Sequence, residues 1–174
     1  RREGAEWCEA GHNVAWAQLQ LPVPVEMPYM PAAFPVSVDA GKRYITVETK
    51  SGTYTLDTAR GMLTSMKRGG KELLARPADL MLWRALIDND KQEKEFWLKY
   101  HVHKSFFKVK NVEIKAEEKA YTVICEGAYG PPSTVPIYFG AITYCFTEEG
   151  LAVSMHADMN MQLANAQRDF GDYY

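Results

Sequence analysis

The chain has 174 residues, 47% of them hydrophobic and 24% charged, with a formal net charge of -2. That length suits one domain, or one domain plus a piece of another, and is enough to bury a real core. Near-neutral charge without a long basic run excludes the electrostatic footprint of a nucleic-acid or anionic-membrane binder, and no apolar stretch is long enough to cross a bilayer as a helix.

Residues 12–21 alternate well enough for a strand. Pro22, Pro24, Pro28, Pro31 and Pro35 then crowd together. Each proline removes a ladder donor, so an extended linker is expected there, with a boundary that divides the chain into 1–34 and 35–174. Residues 44–49 and 53–57 are β-branched, alternating runs joined by Lys50-Ser51-Gly52, which is hairpin chemistry. Residues 61–67, a turn at Arg68-Gly69-Gly70 and a return through Leu73 add a further meander.

Residues 80–87 read as a strand, with Trp83, Ala85 and Ile87 on one face and Leu82, Arg84 and Leu86 on the other. Apolar residues on both faces predict burial between layers, so Arg84 should lie inside and be paired. Asp88 shares its face but would sit about 13 Å away at roughly 3.3 Å per residue. Pairing therefore requires the Asp88-Asn89-Asp90 segment to curl back. Residues 91–104 are the one helical candidate: Phe96, Tyr100, His103 and Phe107 make a stripe at four, three, four spacing, and Glu93 and Glu95 suit a helix N-terminus. Strict alternation over 107–114, looser alternation over 121–126, and runs at 135–147 and 151–161 around Glu148-Glu149-Gly150 complete the pattern. Many closely spaced strands with one short helix predict an all-β, antiparallel sandwich.

Three groups could carry chemistry. The carboxylates and amide of Asp88, Asn89 and Asp90 could ligate calcium or accept hydrogen bonds from sugar hydroxyls, although Asp and Asn are also the ordinary turn residues. His101 and His103 would face one way on a strand but diverge on a helix, and no third metal ligand lies at a recognisable spacing. Among the aromatics, Trp83 is expected in the core and Trp97 as the exposed ring, a candidate platform for stacking on a pyranose. Cys8, Cys125 and Cys145 form an odd set without zinc spacing; the last two lie in apolar strand runs, where thiols behave as small hydrophobes. The compartment stays open between cytoplasm and periplasm.

Trp83-Arg84-Ala85-Leu86-Ile87-Asp88-Asn89-Asp90 resembles the Arg-Ala-Pro-x-Asp-Asn-Asp signature of the C-terminal domain of family-two glycoside hydrolase β-galactosidases, with Leu86 in place of the usual proline. Ala10-Gly11-His12 and the following apolar pair resemble the last strand of the Ig-like domain before it, and Gly61-Met62-Leu63 through Leu74 resembles the hairpin before the signature. The resemblance implies a galactose mutarotase-like supersandwich, of which residues 35–174 would form the N-terminal part. It implies a parent that is a retaining β-galactosidase, with both catalytic carboxylates in a (β/α)₈ barrel upstream and no catalytic residue in this chain. Arg84 and Trp83 would support the signature, and Asp88, Asn89 and Asp90 would border a galactoside pocket shared with the barrel. Lys91-Gln92 departs from the apolar residue and glycine that follow in the family. No cofactor is expected within the chain; any magnesium or sodium used by the parent would be ligated outside it.

The chain starts at Arg1 and stops at Tyr174 in mid-pattern, as expected of an excised piece. The expected partners are the catalytic barrel and, through the parent, its galactoside. The strand at 12–21 is expected to dock on a sheet edge or on a neighbouring molecule and so to promote self-association. Two rivals remain: a stand-alone carbohydrate-binding module, which needs an exposed ring cluster, and a purely structural or subunit-contact domain, which needs an apolar patch without convergent polar groups.

Overall fold

Strand-forming residues in alternation dominate the chain, and a computed structural model shows them assembled into two antiparallel sheets. It describes residues 6–7, 9–11, 13, 33–132 and 134–162. The chain divides into two units, 1–30 and 31–174, and the architecture below belongs to the second. Of residues 12–21 all but Asn13 lie outside the described residues, as does Cys8.

The first sheet runs in sequence order through β1 (Ser37–Ala40), β2 (Tyr44–Glu48), β3 (Thr53–Asp57), β4 (Met62–Arg68) and β5 (Lys71–Glu72). The alternation read from the sequence sets its register. Ile45 faces Leu56, Val47 faces Tyr54, and Leu56 faces Leu63, so one face is apolar throughout. Gly69 and Gly70 both have positive φ between Arg68 and Lys71, the two-residue turn whose twist matches paired strands.

The second sheet is likewise a meander: β6 (Phe106–Ala116), β7 (Tyr121–Gly130), β8 (Tyr138–Thr147) and β9 (Gly150–Met159). Tyr121 faces Phe146, Val123 faces Tyr144, and Cys125 faces Ile142. These residues pack against the apolar face of the first sheet in one continuous core, which makes the fold an all-β sandwich. Cys125 and Cys145 are both free thiols, the first fully buried. Burial pushes the Cys125 thiol up to about 11.

Polar contacts tie the two sheets at defined points. The Tyr144 hydroxyl donates to the Gly61 carbonyl at 2.9 Å in the interior. Gly61 has φ +61° and a Cβ there would come within 2.8 Å of Val109 Cγ2, so glycine is required on both backbone and packing grounds. At the other end Lys50 N–H donates to the Glu148 carbonyl, and its ammonium pairs with Glu148 at 2.8 Å.

Two expectations are corrected. Residues 80–87 form no ladder: a single bridge between Leu63 and Ala78 precedes them, and none of their side chains is fully buried. Their apolar residues on both sides therefore do not signify burial between layers, and Met81, Leu82 and Ile87 are exposed. The helix is shorter than expected, α1 (Lys91–Lys99), because His101 turns into the left-handed region at φ 55° and a 3-10 turn follows at Val102–Lys104. Phe107 lies on β6, where its burial comes from the sheet and not from a helical stripe.

Candidate functional site

The Asp-Asn-Asp segment does curl back. Asp88–Asp90 is a 3-10 turn leading directly into α1, and it returns Asp90 towards Arg84. The guanidinium donates from Nη1 to Asp90 Oδ2 and from Nη2 to Asp90 Oδ1, both at 2.7 Å, and from Nη1 to the Ala85 carbonyl at 3.1 Å. The Ile87 amide adds a third bond to Asp90, at 2.8 Å. Planar guanidinium and carboxylate make the pair bidentate, which fixes direction as well as distance. The Arg84 bonds, then the Ile87 amide, hold the Asp90 carboxyl below its usual range against the opposing effect of burial.

Arg84 is not inside, as its strand placement required; its side chain is 53% exposed against 10% for Asp90. The clamp thus has a buried acceptor and a half-exposed donor. Asp88 is exposed, and among the described residues no hydrogen bond or ion pair uses its carboxylate. Asn89 belongs to the same turn, with its side chain outside the described residues.

The aromatics gather beside this clamp. Trp83 packs edge-on to Trp97, with centroids 6.0 Å apart, and against His103 at 5.4 Å; Arg84 lies over the Trp97 ring at 5.9 Å. Both tryptophans are half-buried, so Trp83 is less enclosed and Trp97 less open than expected. Trp97 offers only part of a ring to a sugar. His101 and His103 have ring centroids 6.0 Å apart, and among the described residues no three His, Cys, Asp or Glu side chains group as a metal site.

A cleft of about 260 Å³ that the sequence did not reveal lies at the end of the second sheet, lined by Leu80, Leu82, Tyr129, Tyr138, Gly140 and Met155 among others. The Tyr129 hydroxyl accepts the Leu82 N–H at 3.2 Å, which fastens the signature segment to its rim.

Asp90→Ala should lower the melting temperature by about 2–4 °C through loss of the turn's three anchoring bonds. Asp88→Ala should leave it unchanged, a difference that thermal denaturation of the two variants reads directly.

These features define a class of domain: a β-sandwich with a surface signature segment, a clamped acidic turn and an apolar cleft. The chain belongs to the beta galactosidase small chain family, which matches residues 48–170. It is 31% identical over 106 residues to a β-galactosidase of Kluyveromyces lactis, covering 58% of this chain and 10% of that protein. A β-galactosidase of Priestia megaterium is 36% identical over 85 residues, 48% of this chain and 8% of its own length. One from Klebsiella pneumoniae is 34% identical over 87 residues, 49% and 8% respectively. The chain thus spans a tenth or less of these relatives.

Proposed function

We propose that this chain acts as a non-catalytic sandwich domain of a larger, retaining β-galactosidase, packing on the catalytic barrel and closing one wall of the galactoside pocket. Family membership over most of the chain, joined to so small a share of each relative, carries this reading. The clamp gives it a physical form. Arg84 and Asp90 hold the acidic turn so that Asp88, exposed and unspent, points a carboxylate at whatever adjoins it, while Trp83 and Trp97 support the turn from beside. A sugar hydroxyl is a suitable donor to that carboxylate. Residue 86 is leucine where the resembled signature has proline, so the clamp, and not a proline-stiffened backbone, sets the turn.

The two carboxylates of the hydrolysis belong, on this reading, to the barrel, and magnesium or sodium would be ligated outside this chain. The purified chain should therefore not hydrolyse a chromogenic β-galactoside above the buffer rate; activity that survives repurification overturns the assignment. In the full-length parent, Asp88→Ala should raise KM by roughly tenfold if one charge-assisted hydrogen bond to substrate is lost. An unchanged KM would remove Asp88 from the pocket.

A further inference from the structure

Between β5 and β6 the chain carries the signature, the acidic turn and α1, and the contacts that shape this excursion are internal to it. The clamp bonds of Arg84, Ile87 and Asp90 join residues at most six positions apart, and the Asp90 N–H returns to the Ile87 carbonyl at 3.0 Å. Trp83 packs on Trp97 and His103, and Phe96, buried on α1, packs on Tyr100 with centroids 4.5 Å apart. Such contacts fix the form of the turn. They do not fix where the turn stands on the sandwich.

That placement has to come from the stretch leading in. The Ala78 N–H donates to the Leu63 carbonyl at 2.8 Å, the last bridge to the first sheet. Among the described residues, one hydrogen bond then ties residues 79–83 to a sheet: the Leu82 N–H to the Tyr129 hydroxyl, two residues before Arg84. Tyr129 is held as a fixed post for it. The residue is 2% exposed, stands between Phe107 and Tyr138 in the β7 ladders, and gives its carbonyl to the Ile137 N–H at 2.8 Å. A phenylalanine ring would fill the same place in the core, so what the hydroxyl adds is the bond to Leu82.

We propose that Tyr129 is a positioning residue for galactoside binding: through Leu82 it sets where the clamped turn, and with it Asp88, stands beside the pocket. The inference rests on the reading of Asp88 as a pocket residue given above. Tyr129 itself touches no substrate. Because Arg84 and Asp90 make the turn move as a unit, releasing its lead-in displaces the Asp88 carboxylate as a whole, and a displacement of about 1 Å in a positioned group is felt in binding or turnover.

The test is steady-state kinetics of the full-length parent carrying Tyr129→Phe, Asp88→Ala or both, with hydrogen exchange of the Leu82 amide in the purified chain. Tyr129→Phe should raise KM roughly three- to tenfold at unchanged kcat, the pattern of binding lost without chemistry lost. In the double variant KM should equal that of Asp88→Ala, because Tyr129 acts through that residue. The Leu82 amide should exchange faster in Tyr129→Phe while the β7 amides keep their protection, an outcome that general loosening of the core would not give. A KM raised by Asp88→Ala but untouched by Tyr129→Phe overturns the positioning role and leaves the pocket reading in place. A KM untouched by Asp88→Ala overturns the pocket reading and the positioning role with it. Additive increases in the double variant would give Tyr129 a route that bypasses Asp88 and overturn the inference. In the unsubstituted chain, a Leu82 amide that exchanges as fast as that of Met81 overturns it without any variant.

Discussion

Phe146→Ala is expected to lower the free energy of unfolding by about 3–5 kcal/mol, the cost of emptying a large aromatic site in a packed core. Phe146 is fully buried, paired with Tyr121 across the ladder and tilted against Tyr54 of the opposing sheet with centroids 6.0 Å apart. It touches both layers, so neither can close over the vacancy without losing other contacts. Val153→Ala is the instructive control. Val153 points to the same side of the same sheet, but lies beyond the cover of the first sheet, and its loss should stay within about 0.5 kcal/mol. Urea unfolding of both variants measures the difference. Equal costs would mean that β9 is covered as thoroughly as β8.

The same contrast explains what could be read from the chain before its fold. Alternation in residues 44–57 and 107–114 is a local property, and the strands and hairpins it predicts are those observed. Apolar residues on both faces of residues 80–87 permitted two outcomes, a strand between layers or a surface segment awaiting a neighbour. Local pattern cannot separate them, because the distinction depends on what lies outside the segment. Arg84 was tied to the first outcome and is instead half-exposed, although its pairing did follow from the need to satisfy a guanidinium near carboxylates. The helix end was missed because His101 adopts a left-handed backbone that no residue preference announces. The Asp88-Asn89-Asp90 turn was legible as a turn, while the direction of its curl required the Asp90 clamp. The cleft was not legible, since it arises from strands far apart in sequence.

The Arg43–Asp57 pair supplies the other large effect, and its dependence on pH has a definite sign. Asp57 is buried at the end of β3 and accepts from Arg43 Nε at 3.0 Å and Nη2 at 2.7 Å, and from the Ala59 amide at 3.1 Å. The Arg43 hydrogen bonds outweigh the desolvation of the carboxylate and hold Asp57 below its usual range. A carboxyl depressed in the folded state adds stability above its unfolded value, near 4, and that contribution is lost as pH falls through the folded value. Arg43→Met removes the cation and leaves the carboxylate buried with backbone donors alone. At neutral pH the melting temperature should fall by about 4–8 °C, less than a fully enclosed pair would cost because Arg43 is 49% exposed. Without the arginine the largest effect that lowers Asp57 is gone, so the variant has less stability to lose as the carboxyl is protonated. The gap between the two proteins should therefore narrow on acidification from pH 7 towards pH 3. A gap that stays constant over this range would show that Arg43 contributes through packing of its stem and not through its charge on Asp57.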